Sequence, residues 1–294
     1  MSATSLEKQG NDDKPEPESV QLDEQGDVVL IVGSPATHKI TVSSVMLALA
    51  SPVFKAMLGS SKFREGQGAR SALEPMEVFL LEDDAEAMLN ICRLLYHQGQ
   101  ISRGMKLYHL LQTMDKYQCL ETFAIPVDAM VRRELEEPIG DWEETIFFAA
   151  IAYLANDAEK FKKMTSMLIT DYSRDFSDVH TSLGGETLPL NALLTMSEIR
   201  QSTQWSILVV FPTACEKDHS TPECIIGFQR WRRWLADCQT VKDFLDIVGS
   251  KTQKKGVETF RQDVEIDCSG LCLKCVKEGL MHHECETPGK DGHR

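Results

Sequence analysis

The hydrophobic pattern becomes informative at Gly26. Val28–Val32 is an unbroken apolar run, and after a Gly-Ser-Pro break His38–Val42 forms a second β-branched segment. Runs this short, bounded by turn residues, predict strands rather than helices, which need more length. Ser51-Pro52 then opens a helix. Ser51 is a capping residue, Pro52 fits the first helical position, and Val53, Phe54, Met57 and Leu58 share one face before Gly59 ends the pattern. Met76–Leu81 is a third strand candidate, introduced by Pro75.

Helical periodicity takes over from there. Asp83 with Glu86 predicts a capped helix whose buried stripe is Met88, Ile91, Cys92 and Leu95. Leu107, Leu110, Leu111 and Met114 mark the next helix, and Val127, Met130 and Val131 one that starts near Pro126. Glu136–Gly140 reads as a junction. Beyond it, Asp141 and Glu144 repeat the capping pattern, and Trp142, Ile146, Ala149, Ala150, Tyr153 and Leu154 predict an amphipathic helix. Phe161, Met164, Leu168 and Tyr172 predict another. A Gly184-Gly185 loop precedes helical Leu188–Met196, and Trp205–Phe211 fits either a strand or a buried helix. Further helices are expected near Glu223–Cys238 and Val241–Val248.

The opening stretch also carries a resemblance. The order Gly-Asp-Val-x-Leu-x-Val from Gly26, then His38-Lys39, then Ala-Ser-Pro-Val-Phe-Lys-Ala-Met-Leu from Ala50 is similar to the start of a BTB/POZ domain, a protein–protein interaction fold. The resemblance extends from Gly26 to about Glu136. It implies an α+β fold, a small β-sheet capped by helices, followed here by a mainly α-helical C-terminal region. The expected organisation is a disordered acidic tail at 1–25, a BTB/POZ domain at 26–137, a helical region at 138–250, and a polar C-terminal segment with a cysteine cluster at 251–294.

Composition narrows the function classes. The formal net charge of −14 argues against general nucleic-acid binding, which needs clustered Lys and Arg on phosphates. The N-terminal residues lack the apolar core of a signal peptide, and the longest apolar run, Ile146–Ala155, is too short for a membrane span. Nine cysteines in that context predict reduced thiols and a cytoplasmic or nuclear protein, with no nucleic-acid or membrane partner.

No enzyme constellation stands out: Gly33-Ser34-Pro35 lacks the spacing of a phosphate loop, and no nucleophile or zinc-protease motif occurs. No cofactor is expected, with one exception. Cys272, Cys275, His282 and Cys285 have the spacing of a tetrahedral zinc site. Yet Cys268, Leu271, Cys272, Cys275 and Val276 also recur as the apolar face of a helix, where free Cys packs as a small hydrophobe. Trp231-Arg232-Arg233-Trp234 suggests nucleic-acid stacking. Trp231, however, shares a helical face with Cys224, Phe228, Leu235 and Cys238, which predicts a core position.

The resemblance supplies the remaining site expectations. Asp27, His38 and Lys39 read alone as strand-end charges; in BTB domains an Asp and a basic residue, here Lys39, often lie near the dimer interface. Phe63, Arg64 and Glu65 lie where cullin-binding BTB domains carry a hydrophobic-x-acidic motif. The implied function is a non-enzymatic adaptor that forms a homodimer and recruits other proteins, including a cullin scaffold of a ubiquitin ligase. The alternative is a transcription-associated regulator that dimerises without touching DNA, since no repeated zinc-finger array is present.

Overall fold

The computed structural model describes residues 16–35, 37–59, 74–136, 139–213, 240–243 and 268–279. The chain divides into two compact units at Met130/Val131.

The first unit is built on a four-stranded sheet. Its strands are β1 (Glu18–Gln21), β2 (Val28–Val32), β3 (His38–Val42) and β4 (Met76–Leu80), in the order β1-β3-β2-β4. β2 and β3 form the antiparallel hairpin that the apolar runs predict, with Leu30 opposite Ile40. Its turn depends on Gly33, whose φ of +92° lies in the left-handed region and where a Cβ would sit 2.9 Å from Thr37 Oγ1. β1 and β4 add in parallel on either side, Glu18 facing His38 and Val28 facing Met76. β1 corrects the expectation of a disordered tail through residue 25: Glu18–Gln21 lies within that stretch but pairs with β3, a partner that composition alone does not reveal. Residues 1–15 of that tail lie outside the described residues.

Helices α1 (Ser44–Ala50), α2 (Pro52–Gly59), α3 (Ala85–Leu95) and α4 (Gly104–Lys116) accompany the sheet, and α5 (Ala124–Leu135) contains the boundary between the units. Val28, Leu30, Ile40 and Val42 from the strands and Met88, Leu107, Leu110, Leu111 and Met114 from the helices are all inaccessible to solvent. Ser51 ends α1 and caps α2: its Oγ accepts Phe54 N–H at 3.1 Å and donates to the Tyr117 carbonyl at 2.6 Å. The α3 cap differs by one residue from the pattern that sequence predicts. Asp84 accepts Ala87 N–H at 2.7 Å. Asp83 instead turns inward and accepts Lys116 Nζ at 2.6 Å and the Tyr117 hydroxyl at 2.7 Å. Tyr117 stacks on Phe54 with ring centroids 4.5 Å apart, tying α2 to the end of α4. The expected α+β class is the one observed.

The second unit, as described, is helical: α6 (Trp142–Leu154), α7 (Ala158–Asp171), α8 (Leu190–Thr213) and α9 (Leu273–Glu278), with short 3-10 turns at Phe176–Thr181 and Gly185–Thr187. Asp141 caps α6 by accepting Glu144 N–H at 2.9 Å, as its spacing predicts. α6 is not amphipathic, however. Every residue from Thr145 to Ala152 is buried, because α7 and the Gly185 turn both lie against this helix. Trp205–Phe211, ambiguous in sequence, belongs to α8. The helices expected near Glu223–Cys238 and across most of Val241–Val248, with the Trp231–Trp234 cluster, lie outside the described residues. Among the described residues no helix is long and apolar enough to cross a membrane.

Candidate protein-interaction site

Two surfaces of the first unit have the character of binding sites. One is the outer side of α1. Val45 and Leu49, four residues apart and therefore stacked along one helix face, are 62% and 78% exposed. Leu47 and Ala50, on the opposite side, are buried and anchor the helix.

The N-terminus of α1 is fixed by two aspartates. Asp27 Oδ1 accepts the Ser44 backbone N–H and Oδ2 accepts the Ser44 hydroxyl, both at 2.6 Å. Asp23 works through an intermediary: Tyr96 donates its hydroxyl to Asp23 Oδ2 at 3.1 Å while accepting Ser43 N–H at 2.9 Å. Burial, reinforced by the Asp23 carboxylate, pushes the Tyr96 hydroxyl up to about 12, so it remains a donor in this relay. Ser43 makes no side-chain cap of its own, and carboxylates at a helix N-terminus complement its dipole. The C-terminal end of α1 is held as well, since Thr122 Oγ1 donates to the Ala50 carbonyl at 2.8 Å.

The second surface is an open groove of about 540 Å³ between α2 and β4. Pro52, Val53, Ala56 and Met57 line one side, Val78, Phe79 and Leu80 the other, and Gln118 one end. β4 is an edge strand among the described strands, and Phe79 is 60% exposed. Residues 60–73, which join the two elements lining this groove, carry Phe63, Arg64 and Glu65; these three lie outside the described residues.

The charged residues singled out by sequence separate into different environments. Asp27 serves α1. His38, only 8% exposed, lies with Nε2 3.8 Å from Glu18 on β1 and 4.0 Å from Glu86 on α3, and Nδ1 3.2 Å from Thr37 Oγ1. Its burial corrects the reading of His38 as a surface charge: the ring faces inward because strand side chains alternate and His38 takes the covered side. Lys39, next along β3, is half-exposed on the other face. Sequence reasoning missed Asp23 and Tyr96, whose partners are up to 73 residues away and leave no local pattern.

In the second unit, Cys268 and Cys275 are buried and Cys272 is half-buried at the start of α9. His282 and Cys285 lie outside the described residues. Among the described residues no group of three or more His, Cys, Asp or Glu is placed to hold a metal ion.

A small mixed sheet covered by helices, with an apolar helix face and an apolar groove open to solvent, defines a protein-binding module. Residues 18–131 match the family model of the BTB/POZ domain, and this part of the chain is a BTB/POZ domain, a protein-interaction module and not a typical catalytic fold. Among curated proteins none matches the chain.

Proposed function

We propose that this protein is a non-enzymatic adaptor that self-associates through α1 and recruits a partner through the α2–β4 groove. The observation carrying the first part is the Val45–Leu49 pair. Two large aliphatic side chains held side by side in water are costly, and covering each stabilises by about 1.5–3 kcal/mol. The helix that carries them is fixed at both ends, so little ordering entropy is lost on docking. A two-fold contact would place α1 of one copy against α1 of the other, an isologous interface in which each residue is used twice. Asp27 contributes by holding α1 in position, and Lys39 is the basic residue that the family resemblance assigns to the same interface. Co-capture of two differently tagged copies tests this; failure of untagged chain to compete would count against it.

Partner recruitment rests on the groove. Its lining is apolar with Gln118 as a polar handle, the composition expected for a site that takes an apolar anchor. Phe63–Glu65 belongs to the segment that joins its two walls, and the resemblance points to a cullin scaffold as the occupant. Purified cullin scaffold captured by wild type but not by Met57→Asp supports this reading, and no capture by wild type overturns it.

A further inference from the structure

Residues Cys268–Gly279 lie in the second unit as a strap across α7 and α8, far in sequence from what holds them. Ser166 donates its hydroxyl to the Cys268 carbonyl at 2.6 Å across 102 residues. Leu271 N–H donates to Thr165 Oγ1 at 2.8 Å across 106 residues. Asn191 Nδ2 donates to the Val276 carbonyl at 3.1 Å across 85 residues. Each of the three joins a side chain of α7 or α8 to a main-chain atom of the strap, so they hold its backbone rather than its side chains.

Apolar anchors supply the rest. Cys268, Leu271, Leu273, Cys275 and Val276 are all at most 8% exposed, and Lys277 lies over the Tyr153 ring at 5.0 Å. Gly270 is required where the strap crosses α7: its φ is +97°, and a Cβ there would approach the Lys162 carbonyl oxygen to 1.9 Å. Main-chain hydrogen bonds that give affinity and buried side chains that give specificity are one of the ways folded domains take linear peptides. Thr165 fits this use. It is fully buried, donates to the Phe161 carbonyl within its own helix, and keeps its oxygen as acceptor for the strap.

We propose that the α7–α8 surface is a peptide-docking groove whose built-in occupant is the chain's own Cys268–Gly279. The partner it fits is a segment of the same chemistry: a small apolar residue, glycine two positions on, leucine next, then a single helical turn presenting Leu, Cys and Val. Held on the same chain, the strap competes intramolecularly, at an effective concentration set by the chain that joins it to α8. A partner peptide therefore enters only when the strap is loosened. This proposal concerns the second unit and stands independently of the reading of the BTB/POZ domain.

The test uses full-length chain and a fluorescent peptide of residues 268–279 under reducing conditions. Gly270→Val in the full chain forces the strap away from Lys162, and the labelled peptide then binds at least about tenfold more tightly than to wild type. The same substitution within the peptide abolishes that binding, and Ser166→Ala in the Gly270→Val chain weakens it. No saturable binding to a Gly270→Val chain with a wild-type circular dichroism spectrum overturns the proposal, as does equal affinity for both chains. Should Gly270→Val disturb folding, wild-type chain cut at a protease site inserted between Lys255 and Gly256 gives the same readout. Displacement of the released fragment by excess peptide supports the groove, and its retention at saturating peptide refutes exchange.

Discussion

Asp27 holds Ser44 with both carboxylate oxygens, one on the backbone N–H and one on the hydroxyl, each at 2.6 Å. A residue before one strand thereby fixes the first turn of the helix that carries Val45 and Leu49. Replacing Asp27 with Ala removes this capping interaction and should cost about 1–2 kcal/mol. Denaturant unfolding measures the loss, and Asp27→Asn, which keeps an acceptor for one bond, should recover part of it.

Ser51 offers a sharper stability test. Its hydroxyl caps α2 and also satisfies the Tyr117 carbonyl, while the residue is 2% exposed. Ser51→Ala leaves a buried carbonyl without its donor and the helix without its cap, for a predicted loss of about 1–3 kcal/mol. Ser51→Thr should lose less, since it keeps the hydroxyl.

Alkaline pH should destabilise the first unit. Burial pushes the Cys92 and Cys119 thiols from 9.0 up to about 12, and Cys119 adds to the effect on Cys92. Tyr96 moves from 10.0 to about 12 for the same primary reason. Groups whose folded value is raised stabilise fully below the unfolded value and lose that contribution as pH rises through the folded one. The melting temperature should therefore hold up to about pH 9 and fall progressively toward pH 12. In native protein at pH 8, half-buried Cys272 should alkylate faster than Cys92 or Cys119, as mass spectrometry of the labelled chain can show.

The groove and the α1 face should separate genetically. Phe79→Asp introduces a charge at an exposed groove position and should abolish partner capture while leaving self-association and melting temperature unchanged. Loss of both together would mean that the two surfaces are one.

Much of the first unit was legible because its signals are local. Val28–Val32, His38–Val42 and the Ser51-Pro52 cap declare themselves within a few residues, and the helix stripe at Leu107–Met114, like Phe161–Tyr172 in the second unit, needs only periodicity. β1 escaped because Glu18–Gln21 is polar and mostly exposed; its strand state comes from hydrogen bonds to β3, not from apolar patterning. The shift from Asp83 to Asp84 as the α3 cap has a similar cause. Two adjacent aspartates are equivalent in sequence, and the Lys116–Tyr117 pair 33 and 34 residues away decides which one turns inward. α6 looked amphipathic because one stripe, Ile146, Ala149, Ala150, Tyr153 and Leu154, fits helical spacing, while Phe147, Phe148, Ile151 and Ala152 between them are apolar as well, and buried. Of the candidate site, Asp27 was legible as a marked residue, but its role at Ser44 was not.

Light scattering on size-separated protein tests the central claim most directly. Wild-type chain should have twice the 33.0 kDa chain mass, and the Val45→Asp, Leu49→Asp double variant should return to a single chain mass with an unchanged circular dichroism spectrum. A wild-type protein that stays at one chain mass, or a double variant that stays at two, would contradict self-association through α1.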